Sequence, residues 1–242
     1  MGRTIGILGG MGPLATADFY RKIILATPAR CDQEHLRVVI EGDPSVPDRS
    51  AFLQGHGPDP LPALTRGARR LVAAGADFIA IPCNTAHAFL PALRGCVALP
   101  FLDIVAETAA RVRRDYPATR RVGILATEST ISIGLYHAAL RGQGLEPLQP
   151  VAAGQALVSA AIAAIKGNDT GPETVERLLV AGRGLIAQGA EVLLAACTEL
   201  PLVLLSGMLP VPLLDPTTIL AEAAVREGRA EGRSTNDEVR SV

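Results

Sequence analysis

The chain has 242 residues, enough for one large domain or for two domains of about 100 to 120 residues with separate cores. The formal net charge is −1, and no basic stretch carries interleaved aromatic residues, which argues against a surface for nucleic acid or anionic membranes. Aromatic residues are few and tryptophan is absent, which predicts a core of Ala, Val, Ile and Leu, as in strands covered by helices. The expected partners are therefore small molecules or other proteins.

The N-terminal sequence MGRTIGILGG enters a strand-like run at once, without the basic region, long apolar core and cleavage site of a signal peptide. We therefore expect a cytoplasmic protein. The most apolar segment, residues 192–214, contains Glu199 and three prolines, which argues against a membrane span and favours a strand, a helix and another strand. The cysteines follow neither a CxxC nor a Cys/His zinc pattern, so we expect free thiols and no metal site.

Short β-type runs alternate along the chain with Ala- and Leu-rich stretches that predict helices, for example at 60–74 and 172–188. The β-type runs are TIGIL at 4–8, LRVVI at 36–40, DFIAI at 77–81, RVGIL at 121–125 and EVLLA at 191–195. This alternation predicts parallel sheets with crossover helices.

The glycine-rich run GILGGMGPLA formally contains the G-x-G-x-x-G/A pattern of a dinucleotide-binding loop at Gly10, Gly12 and Ala15. However, Pro13 removes a backbone donor, and the acidic residues at 41 and 43 lie about 30 residues beyond Gly12, where about 20 are expected. We interpret the run as a tight turn that lets the backbone approach a small anionic ligand.

Two segments place a cysteine after a buried apolar run: FIAIPCNTAH with Cys83 and VLLAACTELP with Cys197, 114 positions apart. The flanking sequences GAD and GAE keep the same offset, PFLD at 100 recurs as PLLD at 212, and IGILGG at 5 is echoed by VGILAT at 122. These repeats indicate a duplicated α/β unit. We expect a first domain of residues 1–100 plus 213–230, a second domain of residues 101–212, and a polar tail at 231–242.

The carboxyl ends of parallel strands are where ligands collect, and a matched pair of cysteines there favours a functional role over two buried hydrophobic residues. Two thiols that face each other across a cleft suit the inversion of a stereocentre, because one removes a proton and the other returns one to the opposite face. Cys31 and Cys96 lack such a context and are interpreted as structural.

Side chains near the cysteines have both functional and structural interpretations. Asn84, Thr85 and Thr198 can cap helices or bind a ligand carboxylate. His87 can pair with Cys83, although a capping or core role is favoured. Glu199 can assist proton transfer or favour a helix N-terminus, and we favour the site.

Two cations are candidates for holding carboxylates. Arg49 lies in the proline-braced loop DPSVPDRS and is able to hold a carboxylate bidentately, or to be an ordinary solvated arginine. Lys166, in AAIKGND, is either a carboxylate ligand or a surface lysine at a helix end. Lys22 is the only other lysine in the chain, and neither lysine has a strong context for pyridoxal phosphate (PLP).

With GILGGMGP, DPSVPDR, IPCNTAH, GILAT and CTELP in this order, the chain resembles the aspartate/glutamate racemase family, specifically its aspartate racemase branch, over nearly its whole length. The resemblance implies two pseudo-symmetric three-layer α/β/α domains, an active site in the cleft between them, no cofactor, and a homodimer. Glu199 stands where glutamate racemases carry a histidine after Cys-Thr, which points to the aspartate branch.

The resemblance also assigns residues by position. Cys83 and Cys197 are the implied catalytic pair, with Cys197 expected to deprotonate the L isomer and Cys83 the D isomer. ATEST departs from the family at Ser129, where relatives often have glycine, and the added side chain is expected to influence which amino acid fits. The implied substrate-binding residues are Met11, Arg49, Asn84, Thr85, Thr127, Lys166, Thr198 and Glu199.

The leading hypothesis from the sequence is a PLP-independent racemase that uses two thiols and acts on the dicarboxylic amino acid aspartate, with glutamate as a second candidate substrate. An isomerase of another dicarboxylate, such as maleate, is an alternative in which one cysteine acts as a nucleophile. A carboxylate-binding protein without catalytic activity is a third hypothesis, and the presence of both cysteines speaks against it.

Overall fold

Seven strands form two parallel sheets in the part of the chain that the computed structural model describes, residues 2–230. In chain order the strands are β1 (Ile5–Gly9), β2 (Val38–Gly42), β3 (Phe78–Ala80), β4 (Arg121–Leu125), β5 (Glu146–Leu148), β6 (Val192–Ala195) and β7 (Leu213–Leu214). The strand orders are β2-β1-β3 and β5-β4-β6-β7, and every pairing is parallel. The predicted α/β class with parallel sheets is confirmed.

Helices connect the strands. Over the same described residues they are α1 (Pro13–Ala26), α2 (Arg49–Leu53), α3 (Leu61–Ala73), α4 (Leu90–Cys96), α5 (Ile104–Asp115), α6 (Glu128–Ser132), α7 (His137–Gly142), α8 (Ala152–Lys166), α9 (Pro172–Ala187) and α10 (Pro216–Arg229). The helices expected at 60–74 and 172–188 correspond to α3 and α9. Within residues 2–230, no helix combines the length and apolarity that a bilayer crossing requires.

The two sheets are built on the same plan. In the first sheet Ile5 of β1 lies opposite Phe78 of β3, and in the second Val122 of β4 lies opposite Val192 of β6. In each sheet the strand that leads to a cysteine therefore lies beside the strand that begins that half of the chain. This equivalence confirms the duplication inferred from the sequence repeats.

The repeated PFLD and PLLD segments also have equivalent places. Phe101 forms a parallel bridge to Ile79 of β3, as β7 pairs with β6. Asp103 then caps α5 by accepting hydrogen bonds from backbone amides, and Asp215 caps α10 in the same way. Each repeat therefore adds an edge segment to its sheet and starts a helix.

The last helix packs against the first. α10 contacts both α1 and α5, and the backbone N–H of Arg3 donates to the carbonyl oxygen of Gly228 at 2.8 Å. The side chains of Arg3 and Glu227 form an ion pair. These contacts favour the proposed return of the C-terminal helix to the first domain, while the domain limits remain a prediction, and the tail at 231–242 lies outside the described residues.

The structure contains one strand that the sequence does not predict and one helix that is shorter than the sequence predicts. β5 is three residues long, lies at a sheet edge and contains Pro147, so it lacks a strong strand pattern. Between β6 and β7 the structure has only the 3-10 helix Leu200–Leu202 instead of a longer helix. Prolines at 210 and 212 and the positive φ of Gly207 are incompatible with a continuous helix there.

Three hydrophobic clusters form the core of the part of the chain that the structure describes. One lies between the halves and contains side chains of both sheets together with α1, α5 and α10. The other two lie on the remaining faces of the sheets, and Cys83 belongs to one while Cys197 belongs to the other. The cysteines are therefore attached to two separately packed layers, which gives each thiol a rigid support.

Candidate active site

The two repeated cysteines lie beyond the carboxyl ends of equivalent strands. Cys83 follows β3 and Cys197 follows β6, and each is only 6% exposed. Residues at this edge of a parallel sheet converge on ligands because the strands end there and the connecting loops begin. The positions agree with the interpretation made from the sequence.

Both cysteines line one small cavity, here called the thiol pocket. Its volume is about 20 Å³, about the space of one water molecule and too small for an amino acid. All ten residues proposed as catalytic or substrate-binding border it, and Asp48 and Ser50 were not predicted. Its lining consists of Met11, Asp48, Arg49, Ser50, Cys83, Asn84, Thr85, Thr127, Lys166, Cys197, Thr198 and Glu199.

A larger cavity of about 520 Å³, here called the vestibule, adjoins the thiol pocket. Leu14, Val46 and Leu202 form part of its apolar wall. The two cavities share a set of lining residues, so they meet at these side chains. The shared residues are Met11, Asp48, Arg49, Lys166 and Glu199.

Arg49 is a buried arginine and not a solvated one. It begins α2 and is 8% exposed, and its Nη1 donates to the carbonyl oxygens of Val46 at 3.2 Å and Pro47 at 3.1 Å. Its Nε is buried without a hydrogen-bond partner. The proline-braced loop therefore holds the guanidinium group in place and leaves a donor available at the pocket.

The glycine-rich turn brings backbone close to the pocket from the other side. Gly10 has a φ of 90°, and a Cβ there would lie 2.3 Å from the carbonyl oxygen of Asp43. A Cβ on Gly12 would lie 3.3 Å from Glu199 Oε1. Glycine at these positions permits the close approach of the turn to the second loop and to Glu199.

Asn84 and Thr85 follow Cys83 but do not cap the next helix through their side chains. Asn84 precedes the 3-10 helix Thr85–Phe89, yet its side chain makes no capping hydrogen bond. Thr85 Oγ1 instead lies 3.3 Å from Thr127 Oγ1 and 3.0 Å from Thr130 Oγ1 in the other half. The capping alternative for Asn84 and Thr85 was therefore wrong.

Ser129 also joins the two halves. It is fully buried, and its hydroxyl donates to Ser50 Oγ at 2.7 Å. Ser129 itself does not line the thiol pocket, whereas Ser50 does. Any influence of Ser129 on which amino acid fits would therefore act through Ser50 or through Thr127, whose Oγ1 lies 3.2 Å from the Ser129 hydroxyl, and that influence remains a prediction.

Cys197 is paired with a buried carboxylate. Its thiol donates to Glu199 Oε2 at 2.9 Å, and Glu199 is 4% exposed. Burial raises the pKa of the Cys197 thiol well above its usual value, and the Glu199 carboxylate raises it further, while Lys166 opposes the change. Cys197 is therefore a thiol near neutral pH, held by an acceptor to which its proton can move.

Lys166 ends α8 and brings a positive charge to both cavities. Burial disfavours its charged form, but attraction to Glu199, Cys197 and Cys83 outweighs burial and raises the pKa of Lys166. The lysine is therefore protonated and faces the acidic groups of the site. Lys166 is exposed, which is consistent with a position at the mouth of the pocket.

Three unpaired polar atoms belong to residues that line the thiol pocket. Over the described residues, six buried side-chain nitrogen and oxygen atoms lack a hydrogen-bond partner, and three of them are Arg49 Nε, Asn84 Nδ2 and Glu199 Oε1. Buried polar groups are usually paired, so unpaired groups that share a cavity indicate ligand contacts. Two donors and one carboxylate acceptor are therefore available to a polar ligand.

Comparison with known proteins identifies the family of the chain. The sequence matches the family described as Asp/Glu/Hydantoin racemase over residues 8–224. The chain belongs to this family. It is 33% identical over 230 residues to the broad specificity amino-acid racemase RacX of Bacillus subtilis (strain 168), covering 91% of this chain and 96% of that protein.

Solved structures of racemases share the fold. The Picrophilus torridus aspartate racemase superposes with a TM-score of 0.84 at 32% identity, covering 94% of each chain. Glutamate racemase from Francisella tularensis has a TM-score of 0.67 at 19% identity, covering 92% of this chain and 79% of that chain, and this likeness concerns the fold alone.

In this racemase-family chain, His87 binds backbone and does not pair with the Cys83 thiol. Its Nδ1 donates to the Cys83 carbonyl oxygen at 2.9 Å, and its Nε2 accepts from the Ile104 N–H at 3.2 Å. The ring is 4% exposed and therefore connects the Cys83 loop to the start of α5 as a neutral imidazole. Burial lowers the pKa of His87 below its usual value, with an opposing contribution from the Cys83 carbonyl.

Replacing His87 by glutamine is expected to destabilise the fold by about 1 to 3 kcal/mol at alkaline pH, because buried backbone groups lose their partners. Since the folded-state pKa lies below the unfolded value of about 6.5, the stabilisation from the neutral ring is lost as pH falls below that value. Urea unfolding from about pH 8 to about pH 5 should therefore show a shrinking difference between parent and variant. The exposed His35→Gln is the control, and a difference independent of pH would contradict the assignment.

The two remaining cysteines are not part of the candidate site. Cys31 and Cys96 are free and exposed, away from the thiol pocket. Asp48 and Ser50 line the pocket but were not predicted. The sequence signal that could have identified them is the loop DPSVPDRS, in which both residues adjoin Arg49. Within residues 2–230, no three His, Cys, Asp or Glu side chains come together as a possible metal site.

Proposed function

We propose that the protein racemises a dicarboxylic amino acid, aspartate first, by proton transfer between Cα and two thiols, without PLP. Membership of the racemase family supports the reaction class. The observation that carries the proposal is the placement of Cys83 and Cys197 beyond equivalent strands of the two halves, lining one pocket. A single cysteine would supply a base but no acid for the opposite face.

In the proposed reaction, the thiolate of one cysteine removes the Cα proton and becomes a thiol. The thiol of the other cysteine gives its proton to the opposite face of Cα and becomes a thiolate, so proton count and charge balance over the turnover. When Cys197 is the acid, its hydrogen bond to Glu199 keeps the proton on sulfur beforehand. When Cys197 is the base, its proton leaves beforehand through Glu199 to solvent, so that in both directions the two sulfurs together carry one proton.

The unpaired polar atoms suggest how the substrate is held. Asn84 Nδ2 and Arg49 Nε are free to donate to carboxylates, and Lys166 adds a positive charge. Glu199 Oε1 is free to accept from the ammonium group while Oε2 contacts Cys197. This arrangement brings the negative charge developing near Cα close to cationic and amide donors, which stabilise it.

The choice of aspartate rests on charge. Two cations border the thiol pocket, and two carboxylates of aspartate would pair with them. The vestibule leaves room for longer side chains, and the relatives include a broad specificity racemase as well as an aspartate racemase. Glutamate and other amino acids therefore belong in the same assay panel.

The test is incubation of L-aspartate with the protein in deuterated water, followed by chiral chromatography and mass spectrometry. We expect D-aspartate that carries deuterium at Cα, and the same activity after dialysis against a metal chelator or after addition of PLP. A strict requirement for PLP or a metal would contradict the mechanism. Optically unchanged amino acids across a panel of D and L isomers would contradict racemisation.

The same assay separates the alternatives. Conversion of maleate to fumarate without racemisation would favour a dicarboxylate isomerase with a nucleophilic cysteine. Binding of aspartate without exchange of its Cα proton would favour a carboxylate-binding protein. The homodimer and the cytoplasmic location remain predictions from the sequence.

A further inference from the structure

Tyr136 connects the core between the two halves to the thiol pocket. It precedes α7 in the second half and is 1% exposed, the largest fully buried side chain of the described residues. Its hydroxyl lies 2.5 Å from Oδ1 of Asn84, which follows Cys83 in the first half. A core tyrosine therefore contacts a pocket residue from the opposite domain.

The direction of this hydrogen bond follows from chemistry and distance. A separation of 2.5 Å is in the range of O–H···O bonds and below the usual range of N–H···O bonds, so the tyrosine donates and the amide oxygen accepts. Burial strongly raises the pKa of Tyr136, which keeps the phenol protonated and able to donate.

Fixing the oxygen of Asn84 also fixes its nitrogen. An asparagine amide can turn its oxygen and nitrogen either way round unless a neighbour selects one orientation. With Oδ1 bound to Tyr136, Nδ2 lies on the other side of the amide, where it is buried without a partner in a residue that lines the thiol pocket. The Tyr136 hydroxyl thus orients Asn84 so that the amide presents a donor, and not an acceptor, to the ligand.

We propose that Tyr136 is a positioning residue for the racemase reaction, because its hydroxyl turns the Asn84 amide so that the N–H groups face the substrate carboxylate. The inference rests on the proposed function, since it assigns a role to a residue behind the site. The hydrogen bond also links substrate binding to the relative position of the two halves, because Tyr136 and Asn84 belong to different halves. The aromatic ring of Tyr136 packs in the core, and its hydroxyl contacts the site through Asn84.

Tyr136→Phe keeps the ring and removes the hydroxyl. We expect kcat/KM for aspartate to fall roughly tenfold, mainly through a higher KM, because the amide is free to present its oxygen to the carboxylate. The decisive comparison repeats the substitution in an Asn84→Ala protein. If Tyr136 acts through Asn84, its replacement there should change kcat/KM by less than about twofold.

Tyr116→Phe is the matched control, since Tyr116 is a partly buried tyrosine against the same central core and lies outside the pocket. It should leave kcat and KM unchanged. Thermal melts of each variant separate loss of folding from loss of binding, and calorimetric titration with L-aspartate measures binding directly in any variant that folds.

The outcomes are distinct. A tenfold loss that disappears in the Asn84→Ala background supports the positioning role. An equal loss in both backgrounds overturns the positioning role, and so does a Tyr136→Phe variant that loses neither binding nor kcat/KM. In either case, racemisation by the parent protein leaves the proposed function intact. A parent protein without racemase activity contradicts the proposed function itself, and the calorimetric titrations then still decide whether the hydroxyl orients Asn84.

Discussion

Replacing either Cys83 or Cys197 by serine is expected to reduce racemisation of aspartate by a factor of at least about 10³, because an alcohol is a far poorer acid and base than a thiol. Both sulfurs line the thiol pocket and belong to different halves, so each should serve one face of Cα. The measurement is the rate of D-aspartate formation from L-aspartate, and the reverse, by chiral chromatography.

The two variants should fail asymmetrically. Each retains one thiol, so each should still exchange the Cα proton of one enantiomer with deuterated solvent. The assignment from the family resemblance expects Cys83→Ser to exchange the L isomer and Cys197→Ser to exchange the D isomer. Proton NMR of each enantiomer in deuterated water detects this exchange directly.

Cys31→Ser and Cys96→Ser are the matched controls, since both cysteines are exposed and lie outside the pocket. Their turnover should stay within about twofold of the parent rate, as expected for surface substitutions. Binding of aspartate should weaken less than catalysis in the two pocket variants, because Arg49, Asn84 and Lys166 remain. A rate near the parent value in either pocket variant would contradict the two-thiol mechanism.

Glu199→Gln is expected to lower turnover roughly hundredfold, because the proton acceptor of Cys197 and the proposed partner of the substrate ammonium group are both lost. The same substitution should lower the pKa of Cys197. Burial still raises that pKa in the variant, but the negative charge that raises it further is gone. The thiolate should therefore form at lower pH than in the parent.

Ultraviolet absorbance of the thiolate against pH measures this shift. The titration uses a protein with Cys31, Cys83 and Cys96 replaced by serine, so that only Cys197 contributes. Glu176→Gln is the control, because Glu176 is an exposed carboxylate on α9 in the same half and pairs with Arg183 at the surface. An unchanged or raised pKa of Cys197 in Glu199→Gln would show that the two groups are not coupled.

Much of the fold could be predicted from local sequence because hydrophobic periodicity is a local property. α3 illustrates this, since Leu64, Ala68 and Leu71 recur at helical spacing and are all buried against the sheet. β5 could not be predicted in the same way. Its strand character arises from pairing with β4, and three residues that include a proline carry little intrinsic preference.

The site could be predicted from the sequence to a similar extent. Because the two cysteines follow repeated apolar runs, the duplication by itself placed both at the same edge of two related sheets. The sequence does not predict the contacts between the two halves. The donation from Tyr136 to Asn84 joins residues 52 positions apart, and neither residue type signals the other.

The sequence by itself determined the class of fold, the repeat and the two repeated cysteines, because these depend on residue type, order and spacing, while its resemblance to the racemase family supplied the full set of candidate pocket residues. Only the tertiary structure decided which nitrogen and oxygen atoms lack partners, that Cys197 is bound to Glu199 and that His87 binds backbone. Those properties depend on burial and on hydrogen bonds across the chain, and the strength of both is set by neighbours that are distant in sequence.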